Sequence, residues 1–155
     1  RRVKRNVSLE RNAHLISLPK GEKTFAFEGF KKEIIFNKAN LFLSESEVSR
    51  YLLDAGFNFD HISQMVCTAH LESQLNPSAV GINKDALGNE ISRDLGLWQI
   101  NDANWKLCGI SKQDELFDPK INTRCAKKVF DAQGFRAWVA YRKNEKKCKN
   151  YALLP

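Results

Sequence analysis

Four cysteines constrain this chain more than any other feature of it: Cys67, Cys108, Cys125 and Cys148. None forms a CxxC pair, and His14, His61 and His70 do not cluster with them, so a zinc-ligand pattern is absent and no bound metal is expected. An even number at wide spacing suits two disulfides and an oxidising compartment. Spacing by itself leaves all three possible pairings open.

The chain has 155 residues, of which 43% are hydrophobic and 28% charged, a balance for one domain or one domain with an appendage. No apolar run approaches the roughly 20 residues that a membrane helix needs. The first residue is Arg1, as expected of a processed or trimmed chain, and a removed export signal fits. A net charge of +7 draws the molecule to polyanions, among them nucleic acid, anionic lipid and the bacterial wall. No helix-turn-helix, zinc-finger or single-strand-binding pattern turns that charge towards nucleic acid.

Residues 1–43 read as an N-terminal extension, an arm packing on the core of a domain at 44–155. Arg1–Arg5 is a basic cluster, Asn6-Val7-Ser8 matches a glycosylation acceptor pattern, and Lys23–Phe36 alternates enough for a short strand pair or extended arm. From Ser44 helical signals take over. Ser44 or Ser46 can cap a helix with Val48, Tyr51, Leu52 and Ala55 on its apolar face. Asp60 is expected to cap a second helix carrying Ile62, Met65, Val66, Ala69 and His70, which ends near Asn76-Pro77. Ser78–Ser92, with Gly81, Asn83, Asp85, Gly88 and Asn89, has hairpin or loop composition. A third helix is expected after Pro119 and a fourth over Phe135–Lys147. The fold class that follows is α+β, mostly helical with a small β-hairpin.

Two carboxylates stand out. Glu72 closes an apolar helix, where low polarity favours the neutral acid and suits a proton donor. Asp94 lies beyond the Gly- and Asn-rich segment, beside Gly96, where more water is expected. A glycosidase needs such a pair, one protonated and one charged, on either side of the bond it cuts.

The words around these residues carry a resemblance. Cys67-Thr-Ala-His-Leu-Glu72-Ser-Gln-Leu-Asn76, Asp94-Leu-Gly-Leu-Trp-Gln-Ile-Asn101, Arg124-Cys-Ala-Lys-Lys-Val and Ala137-Trp-Val-Ala-Tyr-Arg142 occur in this order. Together they resemble the animal-type (C-type) lysozymes over Ser44–Lys149. Glu72 with Asn76-Pro77, Gly96–Asn101 and Leu116–Asn122 also look like the soluble bacterial lytic transglycosylases, which cut the same bond through one Glu and close an anhydro ring. The first resemblance implies a lysozyme-like fold with a cleft between helices and hairpin. It implies Glu72 as general acid, Asp94 as nucleophile or charge stabiliser, and Trp138 as an aromatic wall beside the acid. It places Gln99, Asn101, Trp105 and Ala137 on the sugar-binding cleft, whereas Trp98 reads as core. It pairs Cys67 with Cys148 and leaves Cys108 and Cys125, each without its usual partner, to bond each other.

The implied function is a muramidase cutting the β-1,4 linkage of peptidoglycan, monomeric, secreted or periplasmic, and without a cofactor. A lytic transglycosylase and a non-catalytic glycan binder are the alternatives. The chain departs from the C-type pattern in having four cysteines for the usual eight. Asn104 stands in place of one of two adjacent tryptophans. Asp102 adds a carboxylate beside Asn101, from which a preference for deacetylated glycan is expected. The loop Ile110–Pro119, with Asp114, Glu115 and Asp118, has too few carboxylates for a calcium cage.

Overall fold

The computed structural model describes residues 13–17, 23–27 and 42–154. The chain divides into two units, 1–40 and 41–155, each described by itself. In the first, strand β1 (Ala13–Ser17) pairs antiparallel with β2 (Lys23–Phe27), from Ala13 opposite Phe27 to Ser17 opposite Lys23. The strand pair expected within 23–36 thus uses only Lys23–Phe27, and its partner precedes it. Residues 28–36, Arg1–Arg5 and Asn6–Ser8 lie outside the described residues.

In the second unit α1 (Glu45–Asp54) opens on a capping box: the Ser44 hydroxyl accepts from the Glu47 N–H, and the Glu47 carboxylate accepts from the Ser44 N–H at 2.8 Å. Val48 and Leu52 bury its apolar face, with Tyr51 and Ala55 half-buried at the edge. Asn58, not Asp60, makes the next cap; its side chain accepts from the Asp60 N–H and starts a 3-10 turn, Phe59–His61, that feeds α2 (Ile62–Ser73). A two-residue backward reach suits Asn58, whereas Asp60 is already inside the turn. Helix α2 ends before Asn76-Pro77, because Gln74 and Leu75 both take left-handed backbone angles (φ 56° and 62°). For side-chain-bearing residues that conformation is strained. Leu75 is held there by burial, only 3% exposed, and by the Leu43 N–H donating to its carbonyl at 2.9 Å.

The expected hairpin is β3 (Val80–Lys84) with β4 (Glu90–Leu95), and it gains a third strand, β5 (Ile100–Asn101), in the order β3-β4-β5, all antiparallel. A short α3 (Trp105–Cys108) follows. Then comes α4 (Pro119–Gln133), capped by Asp118 through the Lys120 and Ile121 N–H groups, with proline at its first position. The single helix expected over Phe135–Lys147 is instead a 3-10 turn at Gly134–Ala137, α5 (Val139–Lys143) and α6 (Glu145–Lys149). The breaks fall at Trp138 (φ −103°, ψ 116°) and Asn144 (φ −127°). Trp138 leaves the helix to donate its indole N–H to the Trp98 carbonyl at 2.9 Å, a tertiary bond that outweighs local helix preference.

One apolar core joins these elements, with Met65, Val66, Leu97, Trp98, Leu116 and Ala126 fully buried. Disulfides Cys67–Cys148, tying α2 to α6, and Cys108–Cys125, tying α3 to α4, have Cα atoms 5.4 and 5.0 Å apart. By restricting the unfolded chain each stabilises the fold, typically by about 2–4 kcal/mol.

The C-terminal tail is tied to α1 without a disulfide. Glu45, 8% exposed, accepts from the Tyr151 hydroxyl, from the Leu154 N–H at 2.8 Å, and meets His70 Nε2 at 2.8 Å. Burial opposes charge on Glu45, but these partners together hold its carboxyl below the ordinary range. Its contribution is therefore present above the unfolded glutamate value and lost as pH falls through the lower folded value. Glu45→Ala is expected to cost about 2–3 kcal/mol at pH 7 in a denaturant titration, and the difference from wild type should shrink at pH 3.

Candidate active site

Glu72 and Asp94 come together in one cleft. It has a volume of about 290 Å3 and is lined by both carboxylates with Asn83, Gln99, Ile100, Asn101, Asn104, Val129, Ala137, Trp138 and Val139. Glu72 sits in the last turn of α2, one residue before the helix stops at Ser73. Ser73 fixes that end by donating its hydroxyl to the Leu97 carbonyl at 2.8 Å. Burial, chiefly, pushes the Glu72 carboxyl up; the nearby charge of Asp94 adds to the push, and the Ala140 N–H partly offsets it. A carboxyl that keeps its proton beyond the usual range is suited to donate it.

Asp94 is held differently. Its Oδ2 accepts from the Asn83 amide and its Oδ1 from the Asn101 amide, both at 2.8 Å. Ser92 Oγ lies 3.0 Å from the Asn83 amide nitrogen and 3.2 Å from that of Asn101, and Asn101 Oδ1 accepts from the Ala103 N–H at 3.0 Å. The strand register makes this frame: Gly81 faces Asp94, Asn83 faces Ser92, and Asp94 faces Asn101. Period-two alternation puts Gly81 and Asn83 on the cleft side and leaves Val80 and Ile82 exposed on the other. Gly81 lies close beneath Gln99: a Cβ there would lie 2.7 Å from Gln99 Oε1, and the end of that side chain would have to shift. Gln99, at φ 45°, donates its amide to the carbonyls of Ala79 and Gly96 at 3.2 and 3.0 Å.

Of the residues expected at the sugar-binding cleft, Gln99, Asn101, Ala137 and Trp138 line it with the two carboxylates. Asp102 and Trp105 are not among the lining residues; Asp102 starts a 3-10 turn after β5, and Trp105 packs half-buried against the core with its indole N–H buried and unpartnered among the described residues. Trp138 is both wall and core, 4% exposed. Trp98 is fully buried, as a core residue, and donates its indole N–H to the Met65 carbonyl at 3.3 Å. Asn83 escaped the sequence reading as a functional residue. The signal lay in its strand parity with Gly81, masked by a segment that reads as loop.

Asn122 also escaped. Fully buried on α4, it accepts from the Trp98 N–H at 3.1 Å and donates to the carbonyls of Leu95 and Leu116 at 2.8 and 2.9 Å. Gly96 makes room for it: at φ 77°, a Cβ there would fall 2.2 Å from the Asn122 amide nitrogen. Asn122 therefore fixes the turn that separates Asp94 from Gln99. Among the described residues no group of three or more His, Cys, Asp or Glu side chains is placed to hold a metal ion, and no helix is long and apolar enough to cross a membrane.

Comparison with known proteins agrees with this architecture. A family described as "Lysozyme like domain" matches residues 49–140. The chain is 33% identical over 117 residues to a lysozyme of Galleria mellonella, covering 69% of this chain and 90% of that one. It is 34% identical over 113 residues to lysozyme-like protein 4 of Rattus norvegicus, covering 66% and 74%. A solved lysozyme of Litopenaeus vannamei superposes with a TM-score of 0.50 at 28% identity, covering 70% of this chain and 89% of that one. The chain belongs to the lysozyme-like domain family, within the lysozyme superfamily.

Proposed function

We propose that this chain is a peptidoglycan glycosidase of the muramidase type. The observation that carries the reading is the unlike treatment of two carboxyl groups in one cleft: Glu72 pressed towards its neutral form by burial, Asp94 gripped by two amide donors. Glu72 gives its proton to the departing glycosidic oxygen. Asp94 faces the oxocarbenium-like sugar and stabilises its positive charge or bonds to it, after which water completes hydrolysis. Gln99, Asn101, Ala137 and Trp138 position the sugars. Two disulfides and relatives named lysozyme support a secreted or periplasmic site of action.

Asp94→Asn tests the two-carboxylate mechanism. It keeps the shape of the side chain but removes the charge, and turnover of purified peptidoglycan is expected to fall about 100-fold or more. A mild loss would favour the single-Glu transglycosylase route. Asp102 adds a carboxylate next to Asn101 and forms no ion pair among the described residues; it turns preference towards glycan with free amines. Faster turnover of deacetylated than acetylated glycan is the expected result, and equal rates would sink this part of the reading.

A further inference from the structure

Within the second unit, which carries a net charge of only +1, positive charge is concentrated in one segment. Residues 136–149 carry Arg136, Arg142, Lys143, Lys146, Lys147 and Lys149 against one carboxylate, Glu145, a net +5. All six cations are exposed. Glu145 is committed to Lys149 at 2.7 Å, and the other five cations form no ion pair among the described residues. Like charges at this density repel one another, so the surface is stabilised by whatever anion it binds.

The patch is also shaped. Arg136, Arg142 and Lys149 line a groove of about 500 Å3 with His61 and Tyr141, and Lys143, Lys146 and Lys147 line a second of about 610 Å3; Glu145 borders both. The first groove has a rigid floor. Phe135 stacks on Tyr141 with ring centres 4.3 Å apart, His61 meets Phe135 edge-on, and the Tyr141 hydroxyl donates to Gln64 Oε1 at 2.7 Å. Phe135 and Tyr141 spend their facing ring surfaces on each other, which takes those faces away from nucleobases. Recognition here runs on charge and guanidinium geometry, which match phosphate oxygens. Two grooves on one segment suit a repeating anion better than a single one.

The same segment reaches the cleft, because Ala137, Trp138 and Val139 line it and Ala140 faces Glu72. We infer that the 136–149 surface is a second, non-catalytic binding site for a polymer of phosphodiester repeats, which holds the molecule beside its glycan substrate. The placement of that polymer on a bacterial wall rests on the glycosidase reading above; the binding itself does not.

The test measures binding of poly(glycerol phosphate) to the full chain by fluorescence anisotropy across a salt series. Arg136→Gln/Arg142→Gln should bind about tenfold or more weakly, and the slope of log K against log salt should flatten by about 1.4–1.8, the release expected for two lost phosphate contacts. Lys120→Gln/Arg124→Gln, an equal charge loss on exposed positions of α4, should stay within about twofold of wild type. On intact wall the first variant should raise KM with kcat unchanged, while cleavage of a short uncharged glycan stays at the wild-type rate. Wild-type affinity in Arg136→Gln/Arg142→Gln, or an equal loss in the α4 variant, overturns the assignment. Tenfold tighter binding of single-stranded DNA with the same number of phosphates overturns it in favour of nucleic acid. Selective loss of polymer binding in a protein that cleaves no glycan would sink the glycosidase reading and leave this site standing.

Discussion

Glu72→Gln should abolish glycan cleavage, lowering turnover of peptidoglycan by about 1,000-fold with substrate affinity little changed, the usual loss when a positioned proton donor is removed. The amide fills the same space at the end of α2 but has no proton of suitable acidity to give. The same substitution should have an opposite effect on stability. Because burial raises the folded pKa of Glu72, its stabilising contribution is complete only below the ordinary glutamate value near 4.3 and is lost as pH rises through the raised one. Glu72→Gln is thus expected to melt higher than wild type at pH 7, with the gain gone below about pH 4. For the wild-type chain, kcat/KM should fall as pH rises through an apparent pKa above the ordinary glutamate range. In Asp94→Asn, where the neighbouring charge is gone, that basic limb should move to lower pH; a limb that stays where it was would contradict its assignment to Glu72.

Asn122→Ala should strongly destabilise the core of the second unit. It leaves the Trp98 N–H and the Leu95 and Leu116 carbonyls without their partner in a place water does not reach. Orphaning buried groups costs about 1–3 kcal/mol each, and partial relaxation brings the expected loss to about 3–5 kcal/mol in denaturant unfolding. Activity should fall with it at temperatures where the chain is still folded, because the Gly96–Gln99 turn carries the cleft. Asn122→Asp keeps the acceptor for Trp98 but sets a carboxylate against two carbonyls, and should be no milder. Near wild-type stability in both variants would mean that the turn holds its shape by other means.

These two residues mark what the sequence made legible. Glu72 was readable because helix periodicity runs to it and apolar neighbours surround it, and because the words around it fit a family pattern. Asn122 sits in the middle of α4 as one more polar residue; its three partners come from segments up to 27 positions away, and no local pattern announces them. Asn83 was hidden differently. Its segment is so rich in Gly, Asn and Asp that it reads as loop, yet strand pairing with Ser92 aims it at Asp94. The sequence over 135–147 reads as one continuous helix because neither Trp138 nor Asn144 forbids a helix; the break at Trp138 serves the Trp98 carbonyl, a tertiary demand. The cap at Asn58, two residues before Asp60, shows the same limit at short range, since either side chain could have served.

The ends of the sugar chains released from purified peptidoglycan test the central claim most directly. Mass spectrometry of a digest by the wild-type chain is expected to give fragments with reducing ends, and a digest by Glu72→Gln over the same time is expected to give about a thousandth as many. Anhydro ends would replace hydrolysis with transglycosylation, and reducing ends released undiminished by Glu72→Gln would contradict the assignment of Glu72 as the acid.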